Sequence, residues 1–472
     1  MLLIVTYRPE FEPPWIGQAH ATALILNRLD ERQIAAIIDS VTGNKLLSPS
    51  VRQDIIERTD GIPLFVEEMT RAVSEAESED AARQTVAAVP SPAVAVPASL
   101  HASLMARLDR LGPAKEVAQI GAAIGREFSH ALLGAVAGKP EADLSSALDR
   151  LIASGLLFRQ GVPPHSTYLF KHALVQDAAY GTLLRDPRRA LHTRIAEALE
   201  SDFADIAENQ PELLARHCTE AGLIEKAAAL WGKAGMRSLE RSALVEAAEQ
   251  LTRAVDQIAS LPSSPALRRE QIKLQVPLIT PLYHVKGPAA PETIAAGQKA
   301  QLLIERAEAL NEPIEDPLLL LSALYGSWVA TVNAFDGDAL RKLATQVLAL
   351  AEKQGTTVPL LVGHRLMGVS LLVAGSIAEA RAHLEQAFAL YEPTQHRPLA
   401  MRFGQDIRVA TQCFRSKALW YLGFPEAAVR DADHALNDAR VGSSRHVDIY
   451  AVLRVVCPDL LRTLHSSRCA IR

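Results

Sequence analysis

Small residues recur at helical spacing among large apolar residues throughout the second half of the chain. Small side chains let two helices approach closely, and large ones fill the groove beside them. The clearest set comprises Trp231, Ala234, Gly235, Ser238, Ala247, Leu251 and Ala254. This pattern restricts the region to helices packed on helices. The composition agrees, since 49% of the residues are hydrophobic and only 5% are aromatic.

The same spacing returns further along the chain and resembles the tetratricopeptide repeat, a helical hairpin of about 34 residues. Further copies comprise Met367, Gly368, Leu371, Gly375, Ala380, Leu384 and Ala387, then Leu419, Gly423, Ala428 and Ala435, with an irregular copy at Tyr325, Gly326, Ala344, Leu348 and Ala351. The interval from Gly375 to Gly423 exceeds one ideal repeat, so the units are longer than usual. We predict an α-α solenoid over residues 205–440, with a generic helical bundle as the alternative.

The first 73 residues combine one apolar run with three helical patterns. Residues 2–7 are apolar and β-branched, which is typical of a strand buried on both faces of a parallel sheet. Asp30 opens a capping box before the first helix, and Ser48 caps the second. Gly61 ends that second helix and Pro63 opens the third. The strand has no evident partners in the following residues.

An acidic and then proline-rich stretch over residues 74–99 predicts a linker. Residues 100–204 then contain three helical patterns followed by two short strand-like runs, which predicts a winged-helix-like domain. The third of these helices carries Glu141, Asp143 and Asp149 against only Arg150. Because DNA phosphates require basic contacts, this balance favours a structural or relay role over DNA binding.

Charge and cysteine usage limit the partners and the compartment. The net charge is −5, so we expect no nucleic-acid partner. Four cysteines without a paired spacing indicate a reducing cytoplasm. Residues 317–335 lack charge, but their Ser, Gly, Thr and Asn content predicts a buried helix rather than a membrane span. We therefore expect a cytoplasmic protein with no membrane partner.

Three segments and the repeats, in this order, resemble bacterial proteins that join a class III adenylate cyclase domain to a STAND-type signal-transduction ATPase and tetratricopeptide repeats. The segments are LIVTYRPE at 3–10, GIPLFVEE at 61–68 and FKHALVQDAAY at 170–180. The resemblance covers residues 1–440 and implies that residues 1–73 are the part of the ATPase domain after the Walker B motif. It also implies that Arg8 senses nucleotide phosphate and that Gly61 and Pro63 lie near the adenine. The intact family uses ATP and Mg²⁺.

The departures from this family predict that the chain is not an enzyme by itself. A phosphate-binding loop needs GxxxxGK[ST], but the nearest string, Gly134 to Pro140, is one residue short and ends in proline. Walker B and cyclase motifs are absent, and Arg8 is equally interpretable as a surface arginine. The predicted fold is mostly α: an ATPase-core remnant, a winged-helix-like domain and a solenoid. We predict a non-catalytic regulatory fragment whose solenoid binds a protein or a small effector. The alternative is a part of an active ATP-dependent adenylate cyclase completed by another chain.

Other catalytic patterns are weak, and we assign no catalytic residue, metal site or cofactor. His217 and Cys218 lie in a helical stretch without a spaced partner, which favours packing over a metal or nucleophile site. His172 and Asp177 are five residues apart and do not share a helix face well. We expect their helix to pack on the winged-helix core.

The two ends of the chain are unusual. An unpaired apolar strand promotes self-association, and we expect the helices over 30–73 to be an independent, weakly stable unit. Residues 441–472 contain five Arg, two Asp and two Cys but no Lys or Glu. We interpret this atypical tail as a shifted reading frame or a gene remnant, with a divergent closing helix as the alternative.

Overall fold

A computed structural model describes residues 4–7, 11, 13, 15, 21–43, 47–84, 100–287, 290–312, 316, 318–333 and 337–441. The described chain is mostly α-helical with one small sheet, and its helices stack as hairpins in the second half. This confirms the predicted fold class. The chain divides into two compact units, Met1–Pro187 and Arg188–Arg472, which we call unit 1 and unit 2.

Unit 1 contains eight helices and three strands among its described residues. These are α1 Glu31–Thr42, α2 Pro49–Thr59, α3 Pro63–Gln84, α4 Leu100–Arg110, α5 Pro113–Ile124, β1 Glu127–Ser129, α6 His130–Ala137, α7 Glu141–Ala153, β2 Leu157–Gln160, β3 Thr167–Phe170 and α8 Ala173–Gly181.

Local signals place the first helices of unit 1 as the sequence predicts. Asp30 and Gln33 form the capping box of α1, and the Ser48 hydroxyl accepts the Val51 amide at the start of α2. Both Asp60 and Gly61 adopt the left-handed conformation where α2 ends. The three helices share a buried core of Ile34, Ile38, Ile55, Val66, Met69 and Val73. Burial of these side chains stabilises the three helices, because isolated helices of this length are only marginally stable in water.

Two expectations for the first 99 residues are wrong where the structure describes them. Residues 4–7 have no strand conformation, and Ile4 is 77% exposed. A strand needs a hydrogen-bonded neighbour, and no segment among the described residues pairs with residues 4–7. Helix α3 continues to Gln84 through the first part of the predicted linker, because its Ala, Glu, Arg and Gln residues are good helix formers. Residues 85–99 lie outside the described residues.

The sheet of unit 1 has strand order β1-β3-β2, and both pairings are antiparallel. Strands β2 and β3 are the predicted hairpin, with Leu157 opposite Phe170. Strand β1 and helix α6 were not predicted. The three residues of β1 give only one buried side chain, Phe128, which is too short for a periodic signal. The resulting order after α4 is helix, strand, helix, helix, strand, strand.

Unit 2 is built from helices that pack mainly on their neighbours in sequence. They are α9 Arg185–Ser201, which starts at the unit boundary, α10 Ala204–Asn209, α11 Pro211–Ala221, α12 Ile224–Glu240, α13 Leu244–Ala259, α14 Pro265–Lys286, α15 Pro291–Ala309, α16 Leu318–Asn333, α17 Gly337–Gln354, α18 Thr357–Val373, α19 Ile377–Leu390, α20 Pro393–His396, a 3₁₀ helix Arg397–Leu399, α21 Ala400–Phe403, α22 Ile407–Tyr421 and α23 Pro425–Val441.

The predicted small-residue contacts join the two helices of the α12–α13 and α18–α19 hairpins, whereas Gly326 of α16 meets Ile279 of α14. A Cβ atom added to Gly235 of α12 would lie 2.6 Å from Leu251 Cγ of α13. A Cβ added to Gly368 of α18 would lie 2.7 Å from Leu384 Cγ of α19 and 3.0 Å from the Ala380 carbonyl oxygen. The distances of 2.6 and 2.7 Å to the two leucine Cγ atoms are shorter than real Cβ atoms show. Glycine at these two positions therefore permits the close helix approach that the sequence pattern predicts.

The long interval between Gly375 and Gly423 has a structural cause. After the α18–α19 hairpin, a short irregular segment follows before α22 begins at Ile407. We call residues 393–406, which contain α20, the 3₁₀ helix and α21, the insert. The insert adds residues to one repeat without changing the α18–α19 and α22–α23 hairpins.

Helix α16 contains most of the charge-free stretch that we expected to be a buried helix. Leu321, Ala323, Tyr325 and Trp328 of this helix are each less than 5% exposed. Leu321, Tyr325 and Trp328 belong to the large apolar core that α16 to α19 share. No helix among the described residues combines the length and apolar character needed to cross a bilayer.

Candidate functional site

The residues that the resemblance assigns to a nucleotide site are only partly described. Arg8 lies outside the described residues. Gly61 has a φ of +69°, and its carbonyl accepts the Leu29 amide at 2.8 Å. A Cβ on Gly61 would overlap the Leu29 backbone. Pro63 is the first residue of α3. The structure thus shows Gly61 holding residue 29 beside the start of α3, while a nucleotide role stays a prediction.

Helix α3 carries a buried ion pair to α4. The guanidinium of Arg107 contacts the Glu68 carboxylate, and both side chains are 1% exposed. Arg107 also donates to the Ser154 carbonyl at 2.5 Å and to Glu75 at 3.2 Å. The Glu68 carbonyl accepts from the Ser103 hydroxyl at 3.2 Å. This buried arginine therefore has its counter-charge in place and joins α3, α4 and the end of α7.

A second, less buried ion pair joins α3 to the segment before α8. Lys171 contacts Glu67, which also accepts from Arg71 at 2.9 Å. Burial raises the pKa of Glu67, but Lys171 and Arg71 outweigh burial, and the pKa is lowered overall. Together with the Arg107 contacts, this attaches α3 to the rest of unit 1. Our expectation that helices 30–73 form an independent unit is therefore wrong, because their last helix buries charged and apolar groups against residues 100–171.

The structure separates the residues once considered as a catalytic group near α8. Lys171 is committed to Glu67, and Asp177 is exposed on α8. Burial lowers the pKa of His172, and its Nε2 atom has no hydrogen-bond partner among the described residues. Helix α8 packs through Val175, Ala178 and Ala179 on α4 and α5, as predicted.

The nearest match to a phosphate-binding loop forms the end of a helix. Gly134 lies inside α6, Gly138 ends it in the left-handed conformation, and Lys139 pairs with Glu116 at 2.8 Å. A phosphate-binding loop instead follows a strand and precedes a helix. This string is therefore a helix C-terminus.

His217 and Cys218 are buried in α11, and His217 has a partner that the sequence did not reveal. Its Nδ1 atom lies 2.9 Å from Nδ1 of His192 on α9. Burial lowers the pKa of His217 to about 3 and that of His192 to about 4, with Arg216 acting in the same direction. Burial also raises the pKa of Cys218. The two imidazoles are thus neutral near pH 7 and share one hydrogen bond.

A cavity of about 30 Å³, lined by apolar and polar side chains, lies on the inner side of the stacked hairpins of unit 2. The first helices of successive hairpins, α12, α14, α16 and α18, contact one another in turn, which makes them the inner layer. The insert covers this layer at α14 and α16. The cavity between them is lined by Val276, Ile279, Thr280, Tyr283, Thr293, Ser322, Tyr325, Gly326, Val329, Arg402, Phe403, Gly404 and Gln405.

Polar contacts fix the insert over this cavity. Arg402 pairs with Asp316 at 2.6 Å, and its carbonyl accepts from the Thr280 hydroxyl at 3.3 Å. Nε2 of His284 lies 3.1 Å from the Gly404 carbonyl. The rings of Phe403 and Tyr325 meet edge to face with centroids 4.9 Å apart. The wall of the cavity is therefore made partly by a segment outside the repeat hairpins.

Arg365 of α18 is buried next to this wall without a carboxylate. Its side chain is 1% exposed, and it donates to the Tyr325 hydroxyl at 2.8 Å. Its Nε atom has no hydrogen-bond partner, and no described carboxylate forms an ion pair with it. The other buried arginine described in unit 2, Arg268, differs because it pairs with Glu312. The partly buried Arg415 likewise binds Asp431 through two hydrogen bonds of 2.6 and 2.7 Å. Arg365 is therefore a buried cation whose counter-charge the described chain does not supply.

Two tyrosines near Arg365 present hydroxyl hydrogens. The Tyr325 oxygen accepts from Arg365 and from Gln405, so its own hydrogen is left to donate, and no described acceptor takes it. The Tyr283 hydroxyl has no hydrogen-bond partner among the described residues. Burial raises the pKa of Tyr283, which keeps the phenol protonated, while Arg365 acts in the opposite direction. This side of the cavity is rich in donors.

Sequence reasoning found the glycines and alanines of this region but missed Arg365 and the insert. A lone arginine in an apolar helix is the only local signal for Arg365, and it lies 40 residues from its tyrosine partner. The long Gly375–Gly423 interval indicated extra residues but not where they pack.

The comparisons with known proteins give one relative and one solved structure of note. No family model matches the chain. An uncharacterized protein of Rhizobium meliloti (strain 1021) is 29% identical over 440 residues, which are 91% of this chain and 41% of the relative. The chain thus spans less than half the length of this relative. A STAND protein with a tetratricopeptide repeat sensor from Pyrococcus horikoshii aligns with 91% of this chain and 69% of its own, at 12% identity and a TM-score of 0.33.

Proposed function

We propose that the chain is a non-catalytic regulatory part of a signalling protein and that its repeats bind an effector. The observation that carries this proposal is the donor-rich cavity on the inner layer of the stacked hairpins. Stacked helical hairpins use their inner surface for binding, because it is extended and accessible from one side. Arg365 is buried next to this cavity without a counter-charge, and a bound ligand could supply that charge.

Unit 1 supports a relay role in the same proposal. Its order of helix, strand, helix, helix, strand, strand, with β1 paired to β3, matches the winged-helix interpretation of the sequence. Two of the three acidic residues of α7 are engaged, since Glu141 lies 2.8 Å from His130 and Asp149 pairs with Arg159. An α7 surface of this charge repels phosphates. Helix α3, which the family resemblance places beside the nucleotide, is instead joined to the winged-helix-like part of unit 1 by the Glu68–Arg107 and Glu67–Lys171 ion pairs.

The family resemblance remains part of the proposal: a STAND-type ATPase, associated with adenylate cyclase, in which ATP and Mg²⁺ would bind outside this chain's own motifs. The test is to incubate the purified full chain with Mg²⁺ and ATP and to measure phosphate release and cyclic AMP. We expect neither product, because the groups that cradle phosphate and bind metal are missing from the sequence. Turnover that survives purification and disappears on Arg8→Ala would contradict the proposal.

The effector half of the proposal has its own test. Thermal unfolding of the full chain is measured against a collection of small metabolites. We expect a compound that raises the melting temperature in a dose-dependent way, since a ligand that binds only the folded state stabilises it. A compound that acts equally on a chain with a disrupted repeat contact, such as Gly368→Leu, would not be a ligand of the repeats.

The second candidate function is completion of an ATP-dependent adenylate cyclase by another chain. The observation in its favour is that the matched segment is only 41% of the Rhizobium relative, which has many further residues. DNA sequencing beside the gene tests this candidate. An adjacent reading frame with Walker A and Walker B motifs would favour it over the first proposal.

A further inference from the structure

We propose that the cavity beside Arg365 binds the anionic group, a carboxylate or a phosphate, of a small molecule. This inference rests on the proposed function, because it names the chemical class of the effector that the repeats receive. Tyr325 and Tyr283 line this cavity and the insert covers it. Arg365 does not line the cavity itself but lies directly behind it, where it donates to the Tyr325 hydroxyl.

The charge balance of the site supports an anion. Burying a cation without a counter-charge is costly, and proteins normally pair such a group. The other buried arginines of the described chain follow this rule, since Arg107 has Glu68 and Arg268 has Glu312. The partly buried Arg415 has Asp431. Arg365 has only a neutral phenol. An anionic ligand would supply the missing charge.

The nearby carboxylates are committed to other groups. Asp316 pairs with Arg402 at 2.6 Å. Asp406 accepts the amides of Arg408 and Val409 at the start of α22 and the Tyr391 hydroxyl at 3.0 Å. Neither side chain can turn to Arg365 without breaking these contacts. The site therefore does not neutralise itself by a small rotation of an acid.

The donors around the cavity also fit an oxyanion. The Tyr325 and Tyr283 hydroxyls have hydrogens without acceptors, and carboxylate and phosphate oxygens accept several hydrogen bonds each. Arginine is suited to both groups because its planar guanidinium presents several donors. A neutral sugar or an apolar ligand would leave the Arg365 charge unpaired.

The size of the cavity assigns a role to the insert. A cavity of about 30 Å³ holds little more than a water molecule. An anion therefore enters with an outward shift of residues 402–405 of the insert. Their contacts include the Arg402–Asp316 ion pair, hydrogen bonds with Thr280, His284 and Tyr325, and the buried Phe403 ring against Tyr325.

The experiment titrates the full chain with sodium acetate and, separately, with sodium phosphate at constant ionic strength set by sodium chloride. Tryptophan fluorescence reports binding, because Trp328 lies 6.4 Å from Tyr325 between ring centroids. We expect a saturable change with at least one anion, and the stronger of the two identifies a carboxylate or a phosphate as the group bound. Chloride alone should give no saturation.

Two variants and a control decide the outcome. Arg365→Met should weaken binding by about 10- to 100-fold, because it removes the positive charge next to the cavity. Tyr325→Phe should weaken it less, about 10-fold. Arg341→Met removes an exposed arginine of α17 and should leave the affinity unchanged. Circular dichroism confirms that each variant is folded.

The possible failures are distinguishable. Absence of saturation with both anions in the folded wild-type chain overturns the anion site, as does equal binding by Arg365→Met. If a metabolite still stabilises the repeats in that case, the proposed effector function stands without the anion site. If the chain turns over ATP, the non-catalytic function fails whatever the anions do.

Discussion

Unit 1 and unit 2 each contain an almost fully buried arginine, Arg107 and Arg365, yet the two arginines have opposite surroundings. In unit 1, Arg107 meets Glu68, Glu75 and the Ser154 carbonyl. In unit 2, Arg365 meets the Tyr325 hydroxyl and no described carboxylate. Arg107 thus forms a structural ion pair within the chain, whereas the charge of Arg365 is available to a ligand. The same ion pair also accounts for the attachment of α3 to the rest of unit 1 through Arg107.

The largest expected loss of stability comes from breaking the Arg107–Glu68 ion pair. Arg107→Met leaves the Glu68 carboxylate buried without its cation, and such a change typically costs about 3–5 kcal/mol. Urea unfolding followed by circular dichroism measures the loss. Arg110→Met is the matched control, because Arg110 makes a hydrogen bond to the Ala72 carbonyl and no buried ion pair. Equal losses for the two variants would show that the Arg107–Glu68 contact is not a dominant part of unit 1.

The two units also differ in the surroundings of their buried histidines, which affects how stability depends on pH. His130 of unit 1 lies beside Glu141, whereas His192 and His217 of unit 2 lie beside each other. The pKa values of these two are lowered to about 4 and about 3 from 6.5. Below pH 6.5 the unfolded chain therefore binds more protons than the folded chain, so stability is full above pH 6.5 and falls with acidification.

The expected loss is about 1.4 kcal/mol per pH unit for each histidine between pH 6.5 and 4. Urea midpoints measured across this range should fall less steeply for His217→Gln than for the wild-type chain. His101→Gln, which replaces an exposed histidine of unit 1, should leave the slope unchanged. An unaltered slope in His217→Gln would mean that the buried pair does not control the acid response.

How far the sequence predicts the molecule depends on how local each feature is. Helix starts at Asp30, Ser48 and Pro63 were predictable, because a cap involves residues three positions apart. The glycine contacts were predictable from a repeated spacing. The Arg107–Glu68 pair was not, because its members are 39 residues apart and no local pattern joins them.

The same reasoning applies to the candidate site. Gly326 and its neighbours follow the repeat pattern, but the insert and Arg365 obey no period. Their roles depend on which residues lie opposite after folding. The apolar run at residues 2–7 shows the reverse error, since a strand-like composition does not form a strand at residues 4–7 without a partner.

A glycine comparison tests the packing that carries the inner layer. Gly368→Ala places a Cβ 2.7 Å from Leu384 Cγ and 3.0 Å from the Ala380 carbonyl, and we expect a loss of about 1–3 kcal/mol. Gly134→Ala in α6 of unit 1 is the control, because its Cβ meets only Leu144 at 3.8 Å. Alanine is the better helix former, so that control should be neutral or up to about 1 kcal/mol more stable. Opposite signs in urea unfolding would support the repeat register, and a stabilised Gly368→Ala would show that it is wrong.

The smallest expected effect is the most informative about the two arginines. Arg365→Met removes a buried cation that has no carboxylate, so it leaves no counter-charge behind. Replacement of buried charge by an apolar side chain of similar length is often neutral or stabilising. Against this stands one lost hydrogen bond to Tyr325, worth about 1 kcal/mol. We therefore expect the stability without ligand to change by no more than about 1 kcal/mol in either direction.

The measurement is urea unfolding of Arg365→Met beside Arg107→Met, in a buffer whose only anion is chloride. The contrast between the two variants is the result that matters, because both remove a fully buried guanidinium. A loss as large as that of Arg107→Met would mean that Arg365 already has a strong partner within the chain. In that event the charge would not be available to a ligand, and the anion site would lose its main physical support.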